Sequence, residues 1–151
     1  FQATGGLELG RINVAARGVG LAEGALRLAT EYSKLRETMG KPIADHQAIQ
    51  LYLGEMVTRA RAARLLTFDA AEAYDRGARC DMEAGMAKYF ASEAAVKNAE
   101  TALRIHGGYG YSKEYEIERY YRDAILMCIG EGTNEMQRMI IAKQWLKRGA
   151  S

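Results

Sequence analysis

Four short segments of this 151-residue chain carry residue types that could do chemistry. In IGEGTNEMQR, Glu131 stands between Gly130 and Gly132, just ahead of a stretch with helical periodicity. The flanking glycines could free the backbone to project the carboxylate into a cleft as a general base. A turn acid favoured by the dipole of the following helix fits the same pattern. RETMGKPIADHQ joins Arg36 to His46 and Gln47. It reads either as a polar, solvated connection or as an anion and amide site, because a guanidinium fork suits phosphate. RIHGGYGY is either a helix stop or a place where backbone closely approaches a ligand. Glu8 and Arg11 lie one helical turn apart, which is the spacing of a surface ion pair. Pattern alone leaves each of these open.

Several other chemistries are excluded. The residues three before His46 and His106 are Ile43 and Leu103, so the Glu-x-x-His pairs of a di-iron bundle are missing. Cys80 and Cys128 match no CxxC or Cys/His spacing, and no metal site is expected. They read instead as buried thiols of a reducing compartment. GKP at 40–42 lacks the Ser/Thr and upstream glycine of a phosphate-binding loop. Gly18, Gly20 and Gly24 miss the dinucleotide spacing and fall inside a helix, where they would allow close packing. A net charge of +2 gives no electrostatic case for nucleic acid. No apolar run approaches the roughly 18 residues of a membrane span.

The elements that must position these segments are helical. Ala occurs 25 times, Val 4 times and Pro once, and Ala favours helix where β-branched residues favour strand. Apolar residues from Ile12 to Tyr32 recur at intervals of three and four, predicting a helix over about 7–37 that ends at MGKP. Asp45 is the expected N-cap of a second helix running to about Arg76. A third, from near Asp81, carries the seam Ala87, Ala91, Ala94, Asn98, Ala102 and Ile105 and stops at the glycines of GGYGY. A fourth spans about 114–129. The last spans 134–148, with Asn134 and Gln137 at capping-box spacing. The expected fold is all-α: an antiparallel four-helix-type bundle of long helices with one or two shorter ones packed on it. Phe1 is not a start methionine, and FQATGGLELG is no targeting peptide, so the expectation is a piece of something longer.

Taken together, the long first helix, LRETMGKPIADHQAIQ, RIHGGYGYSKEYEIERYYRDA and IGEGTNEMQRMIIAKQ resemble, in order, the C-terminal helical domain of the acyl-CoA dehydrogenase family. The resemblance covers the whole of 1–151 and implies that an N-terminal helical domain and a middle β domain are missing here. It implies α,β-dehydrogenation of an acyl-CoA thioester: a carboxylate removes the pro-R α-proton while hydride leaves the β-carbon for the N5 of FAD. Electrons would pass to an electron-transfer flavoprotein. The assembly implied is a homotetramer, a dimer of dimers with FAD at the dimer contact. An acyl-CoA oxidase or related flavoenzyme on the same scaffold, or a non-catalytic oligomerisation bundle, are the alternatives. The compartment expected is the cytoplasm, or the mitochondrial matrix in a eukaryote.

Residue by residue, the resemblance matches Glu131 to the base. Some members carry that carboxylate on the first helix instead, at the place of Gly10. Arg36 matches an arginine on the FAD pyrophosphate of an adjacent subunit, with Thr38 and Gln47 as companions and His46 flanking them. Gly108 matches a glycine near the adenosine. Arg104 stands where Gln is frequent, and Met39 where Phe is. Thr133 and Glu135 match residues touching the flavin of their own subunit. Glu8, Arg11 and Gly132 match substrate-side positions. Gly130 replaces a frequent Tyr, which implies a roomier acyl pocket.

Overall fold

The computed structural model describes residues 2–77 and 79–149, with side chains from residue 6 onward. Three long helices, α1 (Gln2–Leu35), α2 (Gln47–Asp75) and α3 (Asp81–His106), form the body. A four-residue turn, α4 (Gly108–Tyr111), leads to α5 (Ile117–Ile129) and α6 (Asn134–Arg148). The bundle is the all-α architecture expected from the alanine-rich periodicity.

One core cluster joins Ile12 and Ala15 of α1 to Ala70 and Ala73 of α2 and to Ala84 and Ala87 of α3. The other joins Ala25 and Ala29 of α1 to Met56 of α2, to Ala99 and Ala102 of α3, and to Ala124 of α5. Thus α1 and α3 run parallel and α2 runs against both. The predicted α3 seam is buried along its whole length, from Ala87 to Ile105. Side chains this small let backbones meet. A Cβ on Gly18 would come within 2.9 Å of the Ala91 backbone, and one on Gly24 within 2.5 Å of the Tyr120 ring. Gly20 differs from the expectation: it faces open space. Asn98 ties the three helices, donating from Nδ2 to the carbonyls of Ala22 and Met56 while its Oδ1 accepts from Arg59.

The loops depart from the sequence reading in three places. Helix α1 stops at Leu35, and the chain turns back as a hairpin of β1 (Glu37–Thr38) and β2 (Lys41–Pro42). Met39 and Gly40, with φ of 52° and 76°, take its tight turn, so Gly40 serves the hairpin rather than a helix end. Asp45 sits in a 3-10 turn over 43–45, and His46, with no side-chain cap bond, precedes α2. At α6 the cap is Thr133, whose hydroxyl accepts from Met136 N at 3.4 Å. Asn134 lies inside the helix because its side chain is bonded to α3.

Candidate active site

The turn between α5 and α6 holds Glu131 in an unusual backbone state. Gly130 leaves α5 with extended geometry. Then both Glu131 (φ 56°) and Gly132 (φ 88°) enter the left-handed region. For a glycine this is free, whereas a side-chain-bearing residue there costs about 1–3 kcal/mol and is found disproportionately at functional sites. Flanking glycines alone, the signal available in the sequence, do not reveal that the strain falls on Glu131 itself. Gln137, fully buried in α6, reaches back and donates from Nε2 to the carbonyls of Glu131 and Gly132, each at 3.1 Å. The Glu131 side chain is exposed on this chain and crosses to α1. A Cβ added to Gly10 would stand 2.7 Å from Oε2 and 2.9 Å from Cδ of Glu131. The carboxylate therefore occupies the space that a side chain at position 10 would need.

Around this point lie most of the other residues expected there. Thr133 is half-buried and Glu135 is exposed. Glu135 pairs with Arg138 at 3.1 Å, and its own backbone N–H together with the Thr133 hydroxyl holds its carboxyl below the usual range. Glu8 and Arg11 flank Gly10 on α1, but they form no surface pair. Both are buried: Glu8 accepts from the backbone N of Cys80 at 3.0 Å, and Arg11 reaches Asp81 at 3.4 Å. They brace α1 against the start of α3.

A second group assembles at the far end of α1. Arg36 lines a cleft of about 450 Å³ with Tyr32, His106, Gly107, Gly108 and Tyr109. Gly107 and Gly108 present bare backbone there, with nothing within 4 Å of where a Cβ would stand. Thr38 Oγ1 and His46 Nε2 are hydrogen-bonded at 3.0 Å, and Gln47 follows as the exposed first residue of α2. Arg104 stands apart on the exposed face of α3, bonded to Glu100 at 2.8 and 3.2 Å. Sequence reasoning missed the cleft's aromatic wall. His106 stacks on Tyr32 at 4.2 Å, and Tyr115 meets both edge-on at 5.4 Å. His106 Nδ1 lies 2.7 Å from Ala102 O, and burial pushes its pKa down, which favours a neutral ring. These side chains are far apart in sequence, and no local signal links them.

Residues 2–146 match the family described as acyl-CoA dehydrogenase, C-terminal domain. The chain belongs to the acyl-CoA dehydrogenase family. This acyl-CoA dehydrogenase domain is 52% identical over 144 residues to an acyl-CoA dehydrogenase of Bacillus subtilis, covering 95% of the chain and 38% of that protein. It is 45% identical over 142 residues to the caffeyl-CoA reductase-Etf complex subunit CarC of Acetobacterium woodii, covering 94% of the chain and 38% of the relative. Among solved structures it superposes on butyryl-CoA dehydrogenase from Megasphaera elsdenii with a TM-score of 0.91 at 44% identity, over 93% of this chain and 37% of that one. The domain thus spans under two-fifths of the length of these relatives.

The residues present fit the family's FAD. The Arg36 cleft joins an exposed guanidinium, bare glycine backbone and aromatic rings, with Ser112 and the Glu114 carboxylate also on its lining. The guanidinium and the bare backbone are the part that suits a phosphate, and the rings the part that suits a planar group.

Proposed function

We propose that this chain is the base-carrying domain of an FAD-dependent acyl-CoA dehydrogenase, with Glu131 as the group that takes the α-proton of the acyl-CoA thioester. The observation that carries the reading is the Glu131 carboxylate, held by a left-handed backbone against the gap at Gly10. FAD, when bound, supplies the acceptor for the hydride that leaves the β-carbon. The chain's own part is to hold the carboxylate and to offer Gly132 beside the thioester, while Glu8 and Arg11, buried against the start of α3, fix the stretch of α1 that carries Gly10. An α-proton is weakly acidic, so a positioned base works best once substrate and the remaining domains exclude water from it. Run in reverse, as the name of the caffeyl-CoA reductase relative suggests, the protonated Glu131 would return that proton. The same relative's name supports an electron-transfer flavoprotein as partner. At Gly130 a Cβ would meet only Leu126 O, at 3.5 Å, which is consistent with a roomier acyl pocket.

The two groups of site residues cannot serve the same cofactor in one copy. Gly10 and Leu35 lie about 38 Å apart along α1 at 1.5 Å per residue, further than one bound dinucleotide reaches. This supports a two-fold assembly in which Arg36, Thr38, His46, Gln47 and Gly108 reach the FAD of a neighbour while Thr133 and Glu135 meet the flavin of their own subunit. Exposed Leu51, Val57, Leu65 and Phe68 give α2 an apolar face suited to such contacts. Arg104, committed to Glu100, is the weakest member of the set.

The test is anaerobic bleaching of the flavin in the full-length enzyme by acyl-CoA. Glu131→Gln is expected to slow bleaching by about 10²- to 10⁴-fold while leaving FAD bound; reduction at an undiminished rate would refute the assignment.

A further inference from the structure

Lys88 is the largest fully buried side chain among the described residues. Burying an ammonium is costly unless it is paired, and desolvation indeed pushes the pKa of Lys88 down. Its partners are specific. Nζ donates to the carbonyl of Cys128 at 3.0 Å, in the last turn of α5, and to Oδ1 of Asn134 at 2.9 Å, in the first turn of α6. Asn134 Oδ1 also lies 3.0 Å from the Ser92 hydroxyl, and its Nδ2 donates to Glu93 at 2.8 Å. A cation at a helix C-terminus is favoured by the carbonyls left unpaired there. Here the same cation also grips the start of the next helix.

The span it bridges is the turn that carries Glu131. With Gln137 holding the carbonyls of Glu131 and Gly132 from the α6 side, that turn is tied at both ends and in the middle. A side-chain-bearing residue in the left-handed region persists only where its surroundings over-determine it. We propose that Lys88 is a positioning residue for the Glu131 carboxylate: by clamping Cys128 to Asn134 from α3 it fixes the turn that aims the base. The inference rests on Glu131 being the base.

The experiment is a double-mutant cycle in the full-length, FAD-loaded enzyme, following flavin reduction by acyl-CoA in single turnover. A base displaced by about 1 Å loses on the order of 10²-fold in rate, so Lys88→Met should slow reduction about 10- to 100-fold, with KM and flavin content within about two-fold of the parent. Residues that act as a unit are non-additive, so in the Glu131→Gln background the same change should slow the residual rate by less than about two-fold. An equal loss in both backgrounds, or no loss in the parent, overturns the positioning role. Glu131→Gln that still reduces flavin at the parental rate overturns the base assignment itself, a separate result. If Lys88→Met fails to yield folded flavoprotein, Asn134→Ala releases the α6 end with Lys88 still bonded to Cys128, and the same comparison decides.

Discussion

Replacing Gly10 with alanine should push stability and activity in opposite directions. An alanine Cβ would stand 2.7 Å from Glu131 Oε2, where ordinary contact begins at 3.4 Å, so the carboxylate must retreat by about 0.7 Å. What gives way is the end of a flexible side chain, not backbone, so the fold absorbs the change. Position 10 lies within α1, where alanine is better than glycine by about 0.5–1 kcal/mol. Catalysis has no such latitude. A displacement approaching 1 Å from a near-attack geometry costs about 10- to 100-fold, or about 1.4–2.8 kcal/mol of barrier. Gly10→Ala in the full-length enzyme should therefore keep its FAD, melt no lower than the parent and reduce its flavin 10- to 100-fold more slowly, on the same reasoning. The assay pairs anaerobic stopped-flow bleaching with a thermal melt on the same sample. A variant turning over within about two-fold of the parent would refute the claim that the carboxylate must lie in the glycine gap.

Two further outcomes concern the scaffold. Gly18→Ala places a Cβ 2.9 Å from the backbone of Ala91, which cannot swing away, so α1 and α3 must separate. Overpacking of this kind costs about 1–3 kcal/mol against a helix-propensity gain near 1, and a lowered denaturant midpoint should report the difference. For His106, burial sets the folded pKa below the ordinary 6.5, so the unfolded chain binds the proton more readily. The stability linked to the neutral ring is complete above pH 6.5 and is lost as the pH falls through the folded pKa. Melting temperatures taken from pH 8 downward should show this decline, and His106→Phe should flatten it.

Much of the architecture was legible in the sequence because helices are local objects. The period of three and four in α1, the small-residue seam of α3 and the bounds of α6 follow from residues within a few turns of one another. Four short segments in the right order were enough to indicate the family. What the sequence could not supply was which side chains meet. Met39 and Gly40 form a hairpin turn because β1 and β2 find each other across it, although MGKP on its own reads as the end of α1. Asn134 has the chemistry of a cap, but Lys88 and Ser92 take its side chain and leave the cap to Thr133. Glu8 and Arg11, one turn apart, find partners in Cys80 and Asp81 at the start of α3 instead of each other. The gap at Gly10 receives a carboxylate from 121 positions further along. Periodicity is set by the pitch of a single helix, whereas these contacts depend on how three helices cross. That geometry exists only once the alanine faces have closed on one another.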